Sequence, residues 1–297
     1  MSFWAVLRFL TILPAPKSEN AESGGRTRLS VPATEQRTEH ASAEMKTVLF
    51  MPAESIRDEE IRLTGRSIVF FPLVGLVIGL LLALLYILFR SFLPTAVSGV
   101  LLLVALAVLT GAHHIDGLMD TCDALVAGKT RIQRLEIMAD TRVGAFGITA
   151  ACLLLLSKYV CLTAAISISA LLTFALLSRW AITGLILLFP AAKESGSFFN
   201  LKSSAEWGGF AGATAIALAF AILLNGLIVG PLIMAGLFVL LYCLGLLFSR
   251  IFGGLTGDCC GALIEAGEVI TLILIVATLR LLPYISDYNL FKISLPF

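Results

Sequence analysis

The chain has 297 residues, 58% of them hydrophobic and only 14% charged, and its mean hydropathy is +0.96. Soluble domains run roughly 45–50% apolar and about 25% charged, so a soluble fold of this size is excluded. The formal net charge of +1 offers no basic surface for nucleic acid.

Residues 1–14 hold an apolar run broken by Arg8, with no small-residue cleavage site at the usual distance. They read as an interfacial helix that stays on the protein rather than as a signal peptide. Residues 15–65 are rich in Ser, Thr, Glu, Arg and Ala, with few large apolar residues before Val48. Such a stretch buries too little surface to offset its ordering entropy, and a mobile cytoplasmic segment is expected. From residue 66 to 297 the chain reads as one transmembrane catalytic domain.

A helix needs about 20 apolar residues to cross the hydrocarbon core, where every backbone polar group must be satisfied internally. Runs of that kind fall at 68–89, 96–110, 145–164, 170–189, 210–227, 232–248 and 262–282. The prediction is therefore an all-α, polytopic integral membrane bundle of about seven transmembrane helices in contact with the lipid bilayer. The second run is short and is expected to continue as a helix through the polar stretch after it. No internal repeat suggests two inverted halves.

The connections sort by charge. Lys17, Arg26, Arg28, Arg37, Lys46, Arg57, Arg62 and Arg66 precede the first span. Lys129, Arg131, Arg134 and Arg142 lie in 111–144, Lys193 and Lys202 in 190–209, and Arg250 in 249–261. The alternate connections carry only Arg90. By the positive-inside rule the charged side is cytoplasmic, with the N-terminus inside and residues 283–297 outside. The polar chemistry gathers on that same face, so an active site facing the cytoplasm is expected, in a multi-pass protein of a bacterial cytoplasmic (inner) membrane. A homo-oligomer is compatible with this pattern, which does not determine it.

Cys122, Cys152, Cys161, Cys243, Cys259 and Cys260 form no CxxC pair and mostly sit in apolar runs, as reduced, small apolar residues do.

Residues 111–124, Gly-Ala-His-His-Ile-Asp-Gly-Leu-Met-Asp-Thr-Cys-Asp-Ala, carry the first candidate site. At 100° per residue Asp116, Asp120 and Asp123 fall within a narrow arc of one helical face, with His113 near its edge. Stacked carboxylates repel at i,i+3 and i,i+4 spacing. A hard divalent cation such as Mg²⁺, which takes carboxylates plus substrate phosphates, relieves that repulsion. The plainer reading is a hydrophilic loop, but this stretch extends a span and contains no Lys or Arg.

A second cluster holds Arg131, Arg134, Glu136, Asp140 and Arg142. Arginine matches phosphate oxygens with a planar fork, yet arginines beside a span also anchor topology. The third cluster, residues 253–262, is glycine-rich around Asp258 and is followed by Glu265 and Glu268. Carboxylates at a helix N-terminus account for those two glutamates, but not for the glycine run with Asp258. Lys158 and Arg179 lie inside spans, where a charge needs a partner or a watery cavity, and both structural pairing and substrate binding remain open. His113 and His114 have no second histidine at ligand spacing. His114 reads as a hydrogen-bonding or acid–base group near a phosphate. Together these features predict a Mg²⁺-dependent phosphoryl-transfer site.

The motifs at 111–124, 135–147 and 253–268 also resemble a known pattern, GGxHxDGxxDTxDG, LxIMxDxRxGxxG and GGxTGDxxGAxxExxE, in that order. Phe-Pro-Leu-Val-Gly at 71–75, Ser178-Arg179 and Phe-Leu-Thr-Ile-Leu-Pro at 9–14 fit as well. The chain is similar to the adenosylcobinamide-GDP ribazoletransferase (cobalamin synthase) family. Departures are Ala112 and Ala124 in place of glycines, and His113 as a second histidine beside His114. The resemblance implies that adenosylcobinamide-GDP and α-ribazole, or α-ribazole 5′-phosphate, give adenosylcobalamin, or its 5′-phosphate, and GMP. A ribose hydroxyl attacks the cobinamide-linked phosphorus, and the pyrophosphate linkage breaks with charge neutralised by Mg²⁺. On this reading Asp116, Asp120 and Asp123 are the expected main Mg²⁺ ligands, Asp116 and His114 being also catalytic. Asp140 is a further ligand or the base. Arg142 and Arg179 hold phosphate oxygens, and Asp258 and Glu265 complete the metal site from the last span. Two rivals fit less well. A CDP-alcohol phosphotransferase needs a DGxxAR element, absent after Asp116-Gly117. A cation-coupled transporter expects carboxylates deep in its spans.

Overall fold

The computed structural model describes residues 67–281 and Thr11. The expected helix over 1–14 (Thr11 apart), the segment 15–65 and the tail 283–297 lie outside the described residues. After a short 3₁₀ turn at Ile68–Phe70 come ten α-helices among the described residues. They are α1 Phe71–Arg90, α2 Thr95–Thr110, α3 His113–Ala127, α4 Arg131–Ile137, α5 Ala145–Ala164, α6 Ile168–Leu188, α7 Ser197–Ser204, α8 Trp207–Asn225, α9 Val229–Phe252 and α10 Gly257–Leu281. Six of these, α1, α5, α6, α8, α9 and α10, are each long and apolar enough to cross a membrane, and the protein is a multi-pass, all-helical membrane bundle.

The expected continuous helix from the second span into the acidic stretch is not formed. The break between α2 and α3 bends the chain by 89°. Gly111 and Ala112 both take left-handed backbone, with φ 61° and 56°. An α-helix cannot propagate through two such residues, so the span stops at Thr110 and restarts in a new direction at His113. If the bent pair counts as one crossing, the total reaches seven.

α6 is the centre of the bundle. Buried residues make up 83% of its most apolar window, against 22% for α5 and for α8, whose outer faces are left to lipid. α1 lies along α6 in close contact, and its small residues permit it. A Cβ on Gly75 would collide with the Ala175 carbonyl, and one on Gly79 would come within 2.7 Å of the Leu171 oxygen. In lipid, where apolar burial drives little association between helices, this small-xxx-small approach maximises packing. α10 packs against α6 on one side and against α3 and α5 on the other. α8 packs against α6 and α9, and α9 packs against α10.

Candidate active site

α3 runs alongside the start of α10, and two glycines set the distance. A Cβ on Gly117 would stand 2.9 Å from the Cα and carbonyl oxygen of Asp258, and one on Gly261 would stand 3.2 Å from the Cα of His114. Asp258 in the first turn of α10 is thereby brought beside the α3 face that carries Asp116 and Asp120. Asp120 lies in the field of Asp116, Asp258 and Asp123, and Asp258 in that of Asp116. Asp116 is exposed, whereas Asp120 and Asp258 are half-buried. Among the described residues none of these three carboxylates has an ion-pair partner. They form an acidic mouth at one end of the bundle.

The glycine-rich run before Asp258 explains how α10 is aimed. Gly253 and Gly254 turn the chain with φ 78° and 147°. Leu255 then makes a two-bond bridge with the 190–192 strand-like stretch: its N–H donates to the Pro190 carbonyl at 2.8 Å, and its own carbonyl accepts from Ala192 N–H at 2.9 Å. Thr256 Oγ1 accepts from Cys259 N–H at 3.1 Å and so caps α10. The last span therefore begins at Gly257, earlier than the expected 262.

Asp123 is tied to the second motif. Its carboxylate accepts from Gly144 N–H at 2.7 Å and from Gly147 N–H at 2.8 Å, capping α5 from outside its own helix. A Cβ on Gly144 would run into that carboxylate, and one on Gly147 would come within 2.5 Å of its Oδ2. The third aspartate of the first motif and the two glycines of the second are thus one tertiary unit. The side chain that spacing placed in the same arc as Asp116 and Asp120 accepts one backbone N–H on each of its oxygens.

Asp140 and Arg142 hold each other. Arg142 Nη2 lies 2.7 Å from Asp140 Oδ2, and Arg142 N–H donates to Asp140 Oδ1 at 3.0 Å. These bonds keep the Asp140 carboxyl below its ordinary pKa. Asp140 borders an open cleft of about 440 Å³ whose other lining residues include Lys129, Gln133 and Glu136. Arg131 and Arg134 are committed to backbone. Arg131 Nη2 donates to the Ala192 carbonyl at 2.7 Å, and Arg134 Nε donates to the Gly128 carbonyl at 2.8 Å. Of the two readings the sequence left open for them, structural anchoring accounts for the contacts they make here.

Deeper in the bundle lies a second charged group. Lys158 of α5 reaches Glu265 at 2.6 Å and Glu268 at 2.5 Å, and Arg179 of α6 pairs with Glu268. All four side chains are at most 3% exposed. Glu265 and Glu268 are in the third and fourth turns of α10, too far along to serve as the N-terminal caps that the sequence allowed. The structure brings Glu265 to Lys158 and Arg179 to Glu268, and among the described residues neither makes a hydrogen bond or ion pair with a mouth carboxylate. His114 is also buried, on the side of Arg179, Glu268 and Lys158, with no partner for its Nδ1.

No three His, Cys, Asp or Glu side chains converge as a ready-made metal cage among the described residues. The chemistry of the mouth nonetheless suits Mg²⁺. Its donors are all carboxylate oxygens, unpaired, from two helices held together by Gly117. Mg²⁺ is ordinarily bound by one or two carboxylates plus substrate phosphates, not by an all-protein cage.

A family model described as cobalamin-5-phosphate synthase matches residues 40–276. The chain belongs to this family. It is 39% identical over 205 residues to the adenosylcobinamide-GDP ribazoletransferase of Roseiflexus sp. (strain RS-1), covering 68% of this chain and 76% of that one. It is 37% identical over 213 residues to the protein of that name from Desulfitobacterium hafniense (strain Y51), covering 68% and 83%. With its namesake from Geotalea daltonii it shares 38% identity over 212 residues, covering 70% and 84%. No solved structure matches the chain. The family resemblance read from the three motifs is thereby borne out.

Proposed function

We propose that the chain joins adenosylcobinamide-GDP to α-ribazole, or to α-ribazole 5′-phosphate, with release of GMP, and that the transfer occurs at the acidic mouth with Mg²⁺. The transferase activity in cobalamin synthesis follows from membership of the family. The observation that carries the location is the set of Asp116, Asp120 and Asp258, carried on two helices in contact at Gly117 and without an ion pair among the described residues.

Asp120 and Asp258, with Asp116, would hold the ion, which supplies neutralisation of the phosphate charge as the pyrophosphate linkage breaks. The chain's own part is orientation and proton transfer. Gly117 and the capped first turn of α10 keep the carboxylates on facing helices at constant spacing. The attacking ribose hydroxyl forms the new P–O bond to the cobinamide-linked phosphorus while the bond to the GMP oxygen breaks. Asp116, the exposed member, accepts the hydroxyl proton. The charged connections that carry the mouth hold the Lys and Arg excess, which supports a cytoplasmic orientation in a bacterial cytoplasmic membrane.

The test is GMP release by the purified protein in detergent or vesicles with adenosylcobinamide-GDP and α-ribazole. Turnover is expected with Mg²⁺ and is expected to vanish with EDTA and return on adding Mg²⁺ back. Undiminished turnover in EDTA would remove the metal from this reading.

A further inference from the structure

The bridge between Leu255 and the 190–192 stretch has a consequence for Lys193. Ala192 is tied on both sides: its N–H donates to the Leu255 carbonyl, and its own carbonyl accepts from Arg131 at 2.7 Å. Gly254 lets the two backbones touch, since a Cβ there would stand 2.6 Å from Ala191 and Ala192 main-chain atoms. The next residue, Lys193, therefore leaves a pinned backbone directly beside the turn that begins α10. That turn carries Asp258 in its first residues.

The other cations of the 111–144 and 190–209 connections are largely spoken for. Arg131 and Arg134 donate to carbonyls, Arg142 pairs with Asp140, and Lys202 donates to the Ile186 carbonyl at 2.8 Å and the Leu187 carbonyl at 3.2 Å. Lys193 is exposed and has neither an ion pair nor a side-chain hydrogen bond among the described residues. A lysine whose task was to neutralise Asp258 would close to contact distance, as Lys158 does with Glu265. With its backbone pinned beside the turn that carries Asp258 and no protein partner for its ammonium, Lys193 is available to an anionic third party at the mouth.

We propose that Lys193 is a substrate-contacting residue whose ammonium binds a phosphate oxygen of the substrate at the acidic mouth. The inference rests on the reading of that mouth as the reaction site. The carboxylates alone would repel a phosphate, and a cation anchored by the bridge beside the α10 turn offsets that repulsion. Two phosphates have this chemistry: the pyrophosphate of the nucleotide-activated corrinoid, and the monoester of α-ribazole 5′-phosphate.

The experiment is steady-state kinetics of Lys193→Met and Lys193→Arg, with α-ribazole and with α-ribazole 5′-phosphate as acceptors. Lys193→Met is expected to raise the relevant KM by about 10- to 100-fold, the loss typical of a charge-assisted hydrogen bond. Lys193→Arg is expected to recover most of it. A rise in the KM for adenosylcobinamide-GDP with both acceptors assigns the ammonium to the pyrophosphate. A rise confined to the phosphorylated acceptor assigns it to the monoester. Kinetic constants of Lys193→Met within twofold of the parent, or an equal loss in Lys193→Arg, would overturn the proposal. Asp116→Asn, assayed alongside, separates the two readings. If it is inactive while Lys193→Met is silent, only the lysine's role fails; if it is fully active, the mouth itself is misplaced.

Discussion

Two acidic groups in this protein use the same side chains to opposite ends. At the mouth, Asp116 and Asp120 of α3 and Asp258 of α10 lie on helices in contact at Gly117, without a contacting cation among the described residues. In the bundle interior, Glu265 and Glu268 meet Lys158 and Arg179, two carboxylates against two cations. The interior group is balanced because lipid and packed helices offer no water to share the cost of an unpaired charge. The mouth is left unbalanced where water and ligands can reach it. Uncompensated negative charge at an accessible end is what a divalent cation requires, whereas compensated charge at depth joins α5, α6 and α10.

The comparison breaks first at the mouth. Asp116→Asn and Asp120→Asn are each expected to lower turnover by well over about tenfold, the loss anticipated when a metal ligand or proton acceptor is removed. Both should leave insertion and the thermal midpoint close to those of the parent, because neither carboxylate holds an ion pair. Parent-like turnover in Asp120→Asn would take that residue out of the site, and in Asp116→Asn would move the site away from the mouth. Activity and thermal unfolding in one detergent preparation decide it.

The interior group should answer the other way. Lys158→Met leaves Glu265 and Glu268 against Arg179 alone, and a stability loss of about 3–5 kcal/mol is expected for a broken buried pair. Lys158→Met combined with Glu265→Met restores one carboxylate to one guanidinium, and an apolar replacement of this kind is often neutral. The double variant should therefore melt near the parent and keep turnover. If it melts normally but is inactive, Glu265 acts on substrate or metal directly, and the contrast drawn between the two groups is wrong.

The smallest effect concerns the bend that separates them. Ala112 is the one described non-glycine residue with positive φ, at 56°. It stands where the family pattern has glycine. Ala112→Gly should stabilise the protein by about 1 kcal/mol, the cost of holding an L-residue left-handed, without altering kinetics. A shift of the melting midpoint downward would show that the Cβ packs usefully at the bend.

Much of this was legible from the chain alone. Apolar runs of membrane length located α5 to the residue and the other long helices within a few residues, because hydrocarbon thickness dictates span length directly. The 100° spacing of Asp116 and Asp120 put both on one face, and the three motifs identified the family. The bend at Gly111-Ala112 was not legible. Glycine followed by alanine is also ordinary helix-compatible sequence, and only the packing of α3 against α10 requires the turn. Nor was the fate of Asp123, whose arc matched its neighbours while its partners, Gly144 and Gly147, lie on another helix.

What the sequence by itself determined is the class of protein, the side of the bundle that holds the charge, and which residue types are available for phosphate chemistry. These follow from local quantities: hydropathy, helical period and motif order. Which carboxylates stay free was decided by tertiary structure alone. Asp123 is spent on α5, Glu265 and Glu268 on Lys158 and Arg179, and only then do Asp116, Asp120 and Asp258 remain. The physical reason is that a carboxylate's role depends on the donors that reach it, and here those donors come from distant segments, from Gly144 and Gly147 to Lys158 and Arg179.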